Sequence, residues 1–298
     1  MFKQIVVGVD ERDGGRDAVA LAKSLRARDG ELTLAYIFAG DPHLYRGASA
    51  AFEASERERA RELLERTRKE MGVHGGLRWR GSPSVGRGLH ELCEVIGADL
   101  LVVGSSRRGL LGRVLLGDDT RAALNGAPCA IAIAPAGYSQ QPVAMREIGV
   151  GYDGSPESER AVVVARDLAG RLGSKLSAFE AVSLPTYAFV AGAAPIDDTL
   201  EGLVDDARKR IAELGGVEPH AAYGHPAEEL GVYSASLDLL IVGSRGYGPI
   251  GRLIHGSTSQ QLAHSARCPL LVLPRAARGT ETPEAAEDGR DSAVALKG

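Results

Sequence analysis

Only three cysteines occur in the 298 residues, too few and too widely spaced for a disulfide framework or a zinc knuckle. Aromatic residues are scarce at 5%, with a single tryptophan. Charge of neither sign dominates, since 35 basic residues face 39 acidic ones. That balance leaves no electrostatic footprint for nucleic acid. Apolar runs such as residues 100–103 and 269–273 are far too short to cross a bilayer, and the opening MFKQIVVGVD lacks a signal-peptide layout. A soluble, cytoplasmic protein is expected, with neither nucleic acid nor membrane as a partner. The phosphate loop Gly-x4-Gly-Lys-(Ser/Thr) is missing as well. Among seven scattered histidines, His225 and His255 have no serine or cysteine beside them in a base role, and His264 with Cys268 lacks further metal ligands. No catalytic and no metal residue is expected.

What the chain does have is a copy of itself. VVGVD ending at Asp10 recurs as GVGYD ending at Asp153, and Gly81-Ser-Pro83 recurs as Gly224-His-Pro226. ADLLVVGSS recurs as LDLLIVGSR, and LLGRVLLG before Asp118 recurs as PIGRLIHG before Ser257. The offset falls from 143 early (Asp10 to Asp153) to 139 late (Asp118 to Ser257), so a short deletion lies near the third helix of the second copy. Two tandem domains follow, and the length suffices for a real core in each. Their expected bounds are 1–136 and 145–275, with 276–298 a charged, glycine- and alanine-bearing tail expected to be disordered. The stretch GYSQQPVAMR between them has the composition of a linker.

Each copy alternates short apolar, β-branched runs with amphipathic helical segments, the pattern of a buried parallel sheet. Strands are expected near 3–9, 31–38, 76–80, 99–104 and 129–134, with helices near 14–28, 50–71, 86–97 and 118–125. The second copy repeats that order. Cys129 and Cys268 each stand just ahead of a final strand and are expected to pack there, with Cys93 on a helix.

The densest signal lies after the apolar run 237–242. Gly243-Ser-Arg-Gly246 is followed by Gly256-Ser257-Thr258, a glycine-rich turn leading into a helix start. Bare amides and a helix dipole at such a place form an anion cradle. GSRGYGPIGRLIHGSTSQQLAHSARCPLLVLP resembles the C-terminal segment of the universal stress proteins, whose ATP-binding members carry Gly-x2-Gly-x9-Gly-(Ser/Thr). Gly243, Gly246, Gly256 and Ser257 stand in register with it.

The resemblance implies an α/β fold: two tandem, doubly wound, five-stranded parallel-sheet domains of Rossmann-like type, strand order 3-2-1-4-5. Ligands of such sheets bind beyond the carboxyl ends of the strands, where the order reverses. By resemblance, Asp153 meets the adenine and ribose end, Val182 meets the base, and Gly243, Gly246, Gly256, Ser257 and Thr258 hold the phosphates. Arg245 is a further phosphate candidate. ATP is the implied cofactor, accompanied by Mg2+. Ser155 and Pro156 read as a helix N-cap and first turn. GVGYDG at Gly149, Gly151 and Gly154 fits Gly-x-Gly-x-x-Gly, but its first two glycines fall inside the strand, so no dinucleotide fingerprint is expected.

The first copy departs from the pattern. Arg107 stands where the second glycine belongs, and Asp118-Asp119 replaces the hydroxyl pair. A carboxylate at that helix start is expected to cap the helix and to repel phosphate, by about 4 kcal/mol for like charges about 4 Å apart at a dielectric near 20. One ATP per chain, in the second domain, is therefore expected.

The resemblance implies a regulatory protein of the stress response in which occupancy by ATP is a conformational signal, with little or no hydrolysis. A weak ATPase or nucleotidyl-type enzyme is the first alternative, and turnover above background would distinguish it. A nucleotide-free interaction scaffold is the second, and nucleotide retained through purification would argue against it. Family members pair through their final strands, either as a homodimer or, here, within one chain. An unidentified protein partner would read the signal.

Overall fold

The computed structural model describes residues 1–39, 49–105, 114, 117–183, 196–244 and 257–274. In the first repeat β1 (Phe2–Gly8), α1 (Asp13–Leu25), β2 (Arg26–Ala39), α2 (Ser49–Glu70), β3 (Gly75–Ser82), α3 (Val85–Ile96), β4 (Leu100–Gly104), α4 (Asp118–Leu124) and β5 (Ala130–Ala134) follow in order. The second repeat gives β6 (Glu147–Gly151), α5 (Pro156–Leu172), β7 (Lys175–Val182), α6 (Ile196–Glu213), β8 (Glu218–Tyr223), α7 (Pro226–Tyr233), β9 (Leu239–Gly243), α8 (Ser257–Ser265) and β10 (Leu270–Leu273). The expected α/β alternation is present. One boundary differs: α1 stops at Leu25, because the chain from Arg26 is already extended beside Phe2.

Each half has the order 3-2-1-4-5, as β3-β2-β1-β4-β5 and β8-β7-β6-β9-β10. The halves do not form separate sheets. Leu270 to Val272 pair antiparallel with Ile133 to Ile131, which joins everything into one ten-stranded sheet. Within each half the pairing is parallel. A parallel sheet must be covered on both faces. Leu21, Leu64, Leu168 and Ile211 cover one face from α1, α2, α5 and α6, and Leu89, Leu124, Leu230 and Leu262 cover the other from α3, α4, α7 and α8. Both cores run unbroken across the junction between repeats.

A single aspartate sets the strand register in each repeat. Asp99, just before β4, accepts the amides of Lys3 and Gln4 at 2.7 and 3.0 Å. Asp238, just before β9, accepts those of Arg146 and Glu147 at 2.7 and 3.0 Å. Each carboxylate pairs the open start of its repeat's first strand, groups that would otherwise go unbonded.

The connection between repeats is anchored, contrary to its linker-like composition. Asp17 on α1, 2% exposed, accepts the Gly137 amide at 2.8 Å, the Ser139 amide at 2.7 Å and the Ser139 hydroxyl at 2.6 Å. Tyr138 between them is buried in the core. The three cysteines are buried and free, as packing residues should be, and burial pushes the Cys268 thiol up. The tail 276–298 lies outside the described residues.

Candidate functional site

The strand order reverses between β1 and β4, and again between β6 and β9. At the first reversal a cleft of about 610 Å³ opens beyond the strand ends, walled by Gly8 to Asp10, Ala35 to Ile37, Gly104, Ser105 and the start of α4. No side-chain chemistry is needed to make it: two neighbouring strands send their crossover helices to opposite faces, and a crevice remains.

The turn after the first strand is built identically in both repeats. Asp10 Oδ1 accepts the Arg12 amide at 3.0 Å, and Asp153 Oδ1 accepts the Ser155 amide at 3.0 Å. Each aspartate thus folds its own turn back before a helix begins, the local bonding for which short acidic side chains are suited. In the second repeat Ser155 is the N-cap of α5, its hydroxyl accepting the Ser158 amide at 3.2 Å, with Pro156 in the first turn. The Ser158 hydroxyl donates to the Ser155 carbonyl at 2.8 Å and accepts from the Asp153 amide at 3.4 Å. The first repeat has Arg12 at the cap, without a side-chain bond.

Gly243 ends β9 and is needed for close approach rather than for a left-handed backbone, since it is absent from the glycines of positive φ. A Cβ there would lie 2.7 Å from the backbone carbonyl of Glu157. The neighbour is the N-terminal turn of α5, so this glycine seats a helix against the strand. Gly104 plays the same part against Gly14. A larger residue at 243 would therefore disturb the packing itself, not a phosphate alone.

Val182 ends β7, half-buried, and its carbonyl accepts the Gly224 amide at 3.0 Å. Ser257 opens α8, and Thr258 is half-buried in its first turn. Asp153, Val182, Gly243 and the start of α8 thus belong to the carboxyl-end side of β6, β7 and β9. Arg245, Gly246 and Gly256 lie outside the described residues, as does Arg107 of the first repeat.

The expectation that Asp118 caps α4 is wrong. Gly117 holds the cap position, and Asp118 is the first helical residue. Its carboxylate is 96% exposed and bonded to Arg121 at 2.7 Å. It is exposed where it lines the first-repeat cleft and has a counter-charge beside it, so the repulsion expected of it is reduced.

Two polar residues escaped sequence reasoning. Thr120, buried in the first turn of α4, donates to the Gly104 carbonyl at 2.9 Å and ties the helix start to the strand end. Ser259, equally buried, holds the matching place in α8. Their signal was available: both repeats keep a hydroxyl third in the helix. Glu11 at the cleft mouth is held by Arg59 of α2 at 2.5 and 2.8 Å, and this pairing keeps its carboxyl below the usual glutamate range. No group of three or more metal-ligating side chains occurs among the described residues. No helix among them is long and apolar enough to cross a membrane.

Comparison with known proteins matches both repeats to one family. The description "Universal stress protein family" fits residues 1–135 and again 145–274. A universal stress protein of Mycobacterium tuberculosis is 34% identical over 182 residues, 59% of this chain. The match spans 61% of that relative's length. A universal stress protein of Mycolicibacterium smegmatis is 29% identical over 291 residues, covering 90% of this chain and 96% of the relative. Among solved structures, a universal stress protein of Archaeoglobus fulgidus superposes with a TM-score of 0.64 at 18% identity, covering 91% of this chain and 98% of that one. It supports the fold.

Proposed function

Because this chain belongs to the universal stress protein family, we propose that it is an ATP-binding regulatory protein of the stress response, whose occupancy by nucleotide is a conformational signal. One observation carries the reading: the same aspartate-folded turn, strand-end glycine and helix start recur at both reversals of strand order. A crevice at a reversal, with helix N-termini facing it, suits a phosphorylated ligand.

In this reading ATP binds the second repeat through Asp153, Val182, Gly243, Gly246, Gly256, Ser257 and Thr258, with Arg245 beside the phosphates. Asp153 and Val182 serve the nucleoside end, and the start of α8 serves the phosphates. Mg2+ travels with the nucleotide and offsets its charge. In this reading the chain contributes a backbone cradle rather than a base for water, and the nucleotide is retained rather than hydrolysed. The two repeats make the contact that a homodimer would make through final strands, since β5 already pairs with β10.

Mass spectrometry of the small molecules retained by the purified chain tests this directly. An adenine nucleotide at near one equivalent is expected. A chain that carries none, and that gives no calorimetric signal with ATP and Mg2+, refutes the proposal.

A further inference from the structure

The repeats differ most where the short deletion falls. The helix after the third strand has 12 residues in the first repeat and 8 in the second. Strand register identifies the exchanges around it. Val6 corresponds to Gly149, Ala35 to Phe179 and Arg78 to His220. Counting from each helix start, Leu92 corresponds to Tyr233. Two aliphatic residues and an arginine have given way to three rings. Tyr233 stacks on Phe179 with ring centroids 4.9 Å apart, and His220 tilts against it at 5.7 Å. Gly149 makes room: a Cβ there would lie 2.9 Å from the Tyr233 ring and its oxygen. This also explains the glycine inside β6, which has nothing to do with a dinucleotide.

Beside this layer lies a cavity of about 350 Å³, lined among others by Phe179, Arg208, His220, Glu229, Val232 and Tyr233. It shares no residue with the first-repeat cleft. Its lining holds one cation, Arg208, and one carboxylate, Glu229, and the two are engaged differently. Arg208 is bonded to Asp205 at 3.1 Å and reaches the Ala221 carbonyl at 3.5 Å. His220 stands 3.5 Å from Glu218. The Tyr233 hydroxyl is taken by Ser177 at 2.5 Å. Glu229, half-buried, has no ion-pair partner among the described residues, whereas the Arg208 of the same lining is held by Asp205, so Glu229 is the wall carboxylate left without a counter-charge. Val232, 62% exposed, adds an apolar lip.

We propose that this cavity is a second ligand site, for a small organic cation: an ammonium group set against Glu229, with an aryl or short apolar group against Tyr233 and Val232. A pocket of a few hundred Å³ with an aromatic wall and one unmatched carboxylate selects such a molecule over an anion or a neutral analogue. The proposal does not depend on nucleotide binding elsewhere in the chain.

Three probes of similar shape separate the charge states on the full chain: phenethylamine, phenethyl alcohol and phenylacetate. Calorimetry should show saturable binding of the amine, with the other two weaker by about tenfold or more. Amide shift changes should centre on His220, Val232 and Tyr233. Glu229→Gln should weaken the amine about tenfold at an unchanged melting temperature. Equal binding of the alcohol or of phenylacetate, an unchanged affinity in Glu229→Gln, or no saturable binding of the amine would each overturn the proposal.

Discussion

Gly243 and Glu157 touch across the junction of β9 and α5, with a distance of 2.7 Å between the Glu157 carbonyl and the place a Cβ would take. The first motif glycine of the second repeat is thus fixed by helix seating before any ligand is considered. Gly104 and Gly14 repeat the relationship in the first repeat, whose motif is otherwise broken. A glycine that survives in the broken copy cannot be explained by phosphate alone.

Gly243→Ala is accordingly expected to cost about 1–3 kcal/mol of stability, the usual penalty for overfilling a packed contact. Denaturant unfolding checks it, and a variant as stable as the parent would show that α5 can shift freely. Any loss of ATP affinity in this variant must be compared with its folded fraction before it is assigned to the cradle.

Asp118→Ser, which installs the hydroxyl found at Ser257, is expected to change nucleotide affinity of the first repeat by less than about tenfold, as suits a charge held in solvent. Its exposure of 96% and its bond to Arg121 are the grounds. Equilibrium dialysis with labelled ATP reads both affinity and stoichiometry. A gain of a hundredfold or more would mean that the carboxylate turns inward when phosphate arrives.

The sequence made the fold legible because buried parallel strands are continuous apolar runs, as at Leu100–Gly104 and Leu239–Gly243, and because the chain prints the pattern twice. Asp153, Ser155 and Pro156 were equally visible, since caps and turns are local. What stayed hidden was long-range. Residues 130–134 and 270–273 do not themselves announce an antiparallel pairing; that the final strands meet was implied by the resemblance alone. Asp17 resembles any helical acid until residues 137–139 fold onto it. Asp118 was misjudged by one position, and one position separates a cap from an exposed first-turn residue. Gly149 gave a false motif because the ring it admits comes from Tyr233, far along the chain.

Asp17→Ala should destabilise the chain by about 1–3 kcal/mol, because it strands two part-buried amides that now donate to a carboxylate. Hydrogen exchange at Gly137 and Ser139 should accelerate in the variant, while exchange in β9 stays slow. Exchange unchanged at those two amides would show that the connection holds its shape without the aspartate.

Alkaline titration tests the aromatic layer. Burial pushes the Tyr233 hydroxyl up to about 12. A raised tyrosine value means that the folded chain keeps a proton which the unfolded chain gives up near 10, so folding gains from the neutral form. That contribution is complete below about pH 10 and is lost as pH rises through 12. Ultraviolet absorbance of tyrosinate should show a late-ionising step to which Tyr233 contributes, together with a fall in melting temperature over the same interval. Tyr233→Phe removes the late step and flattens that part of the stability profile, while it also leaves Ser177 without its 2.5 Å partner. A late step that persists in Tyr233→Phe would assign it to another buried tyrosine, of which Tyr138 is the nearest rival, since burial raises that hydroxyl too.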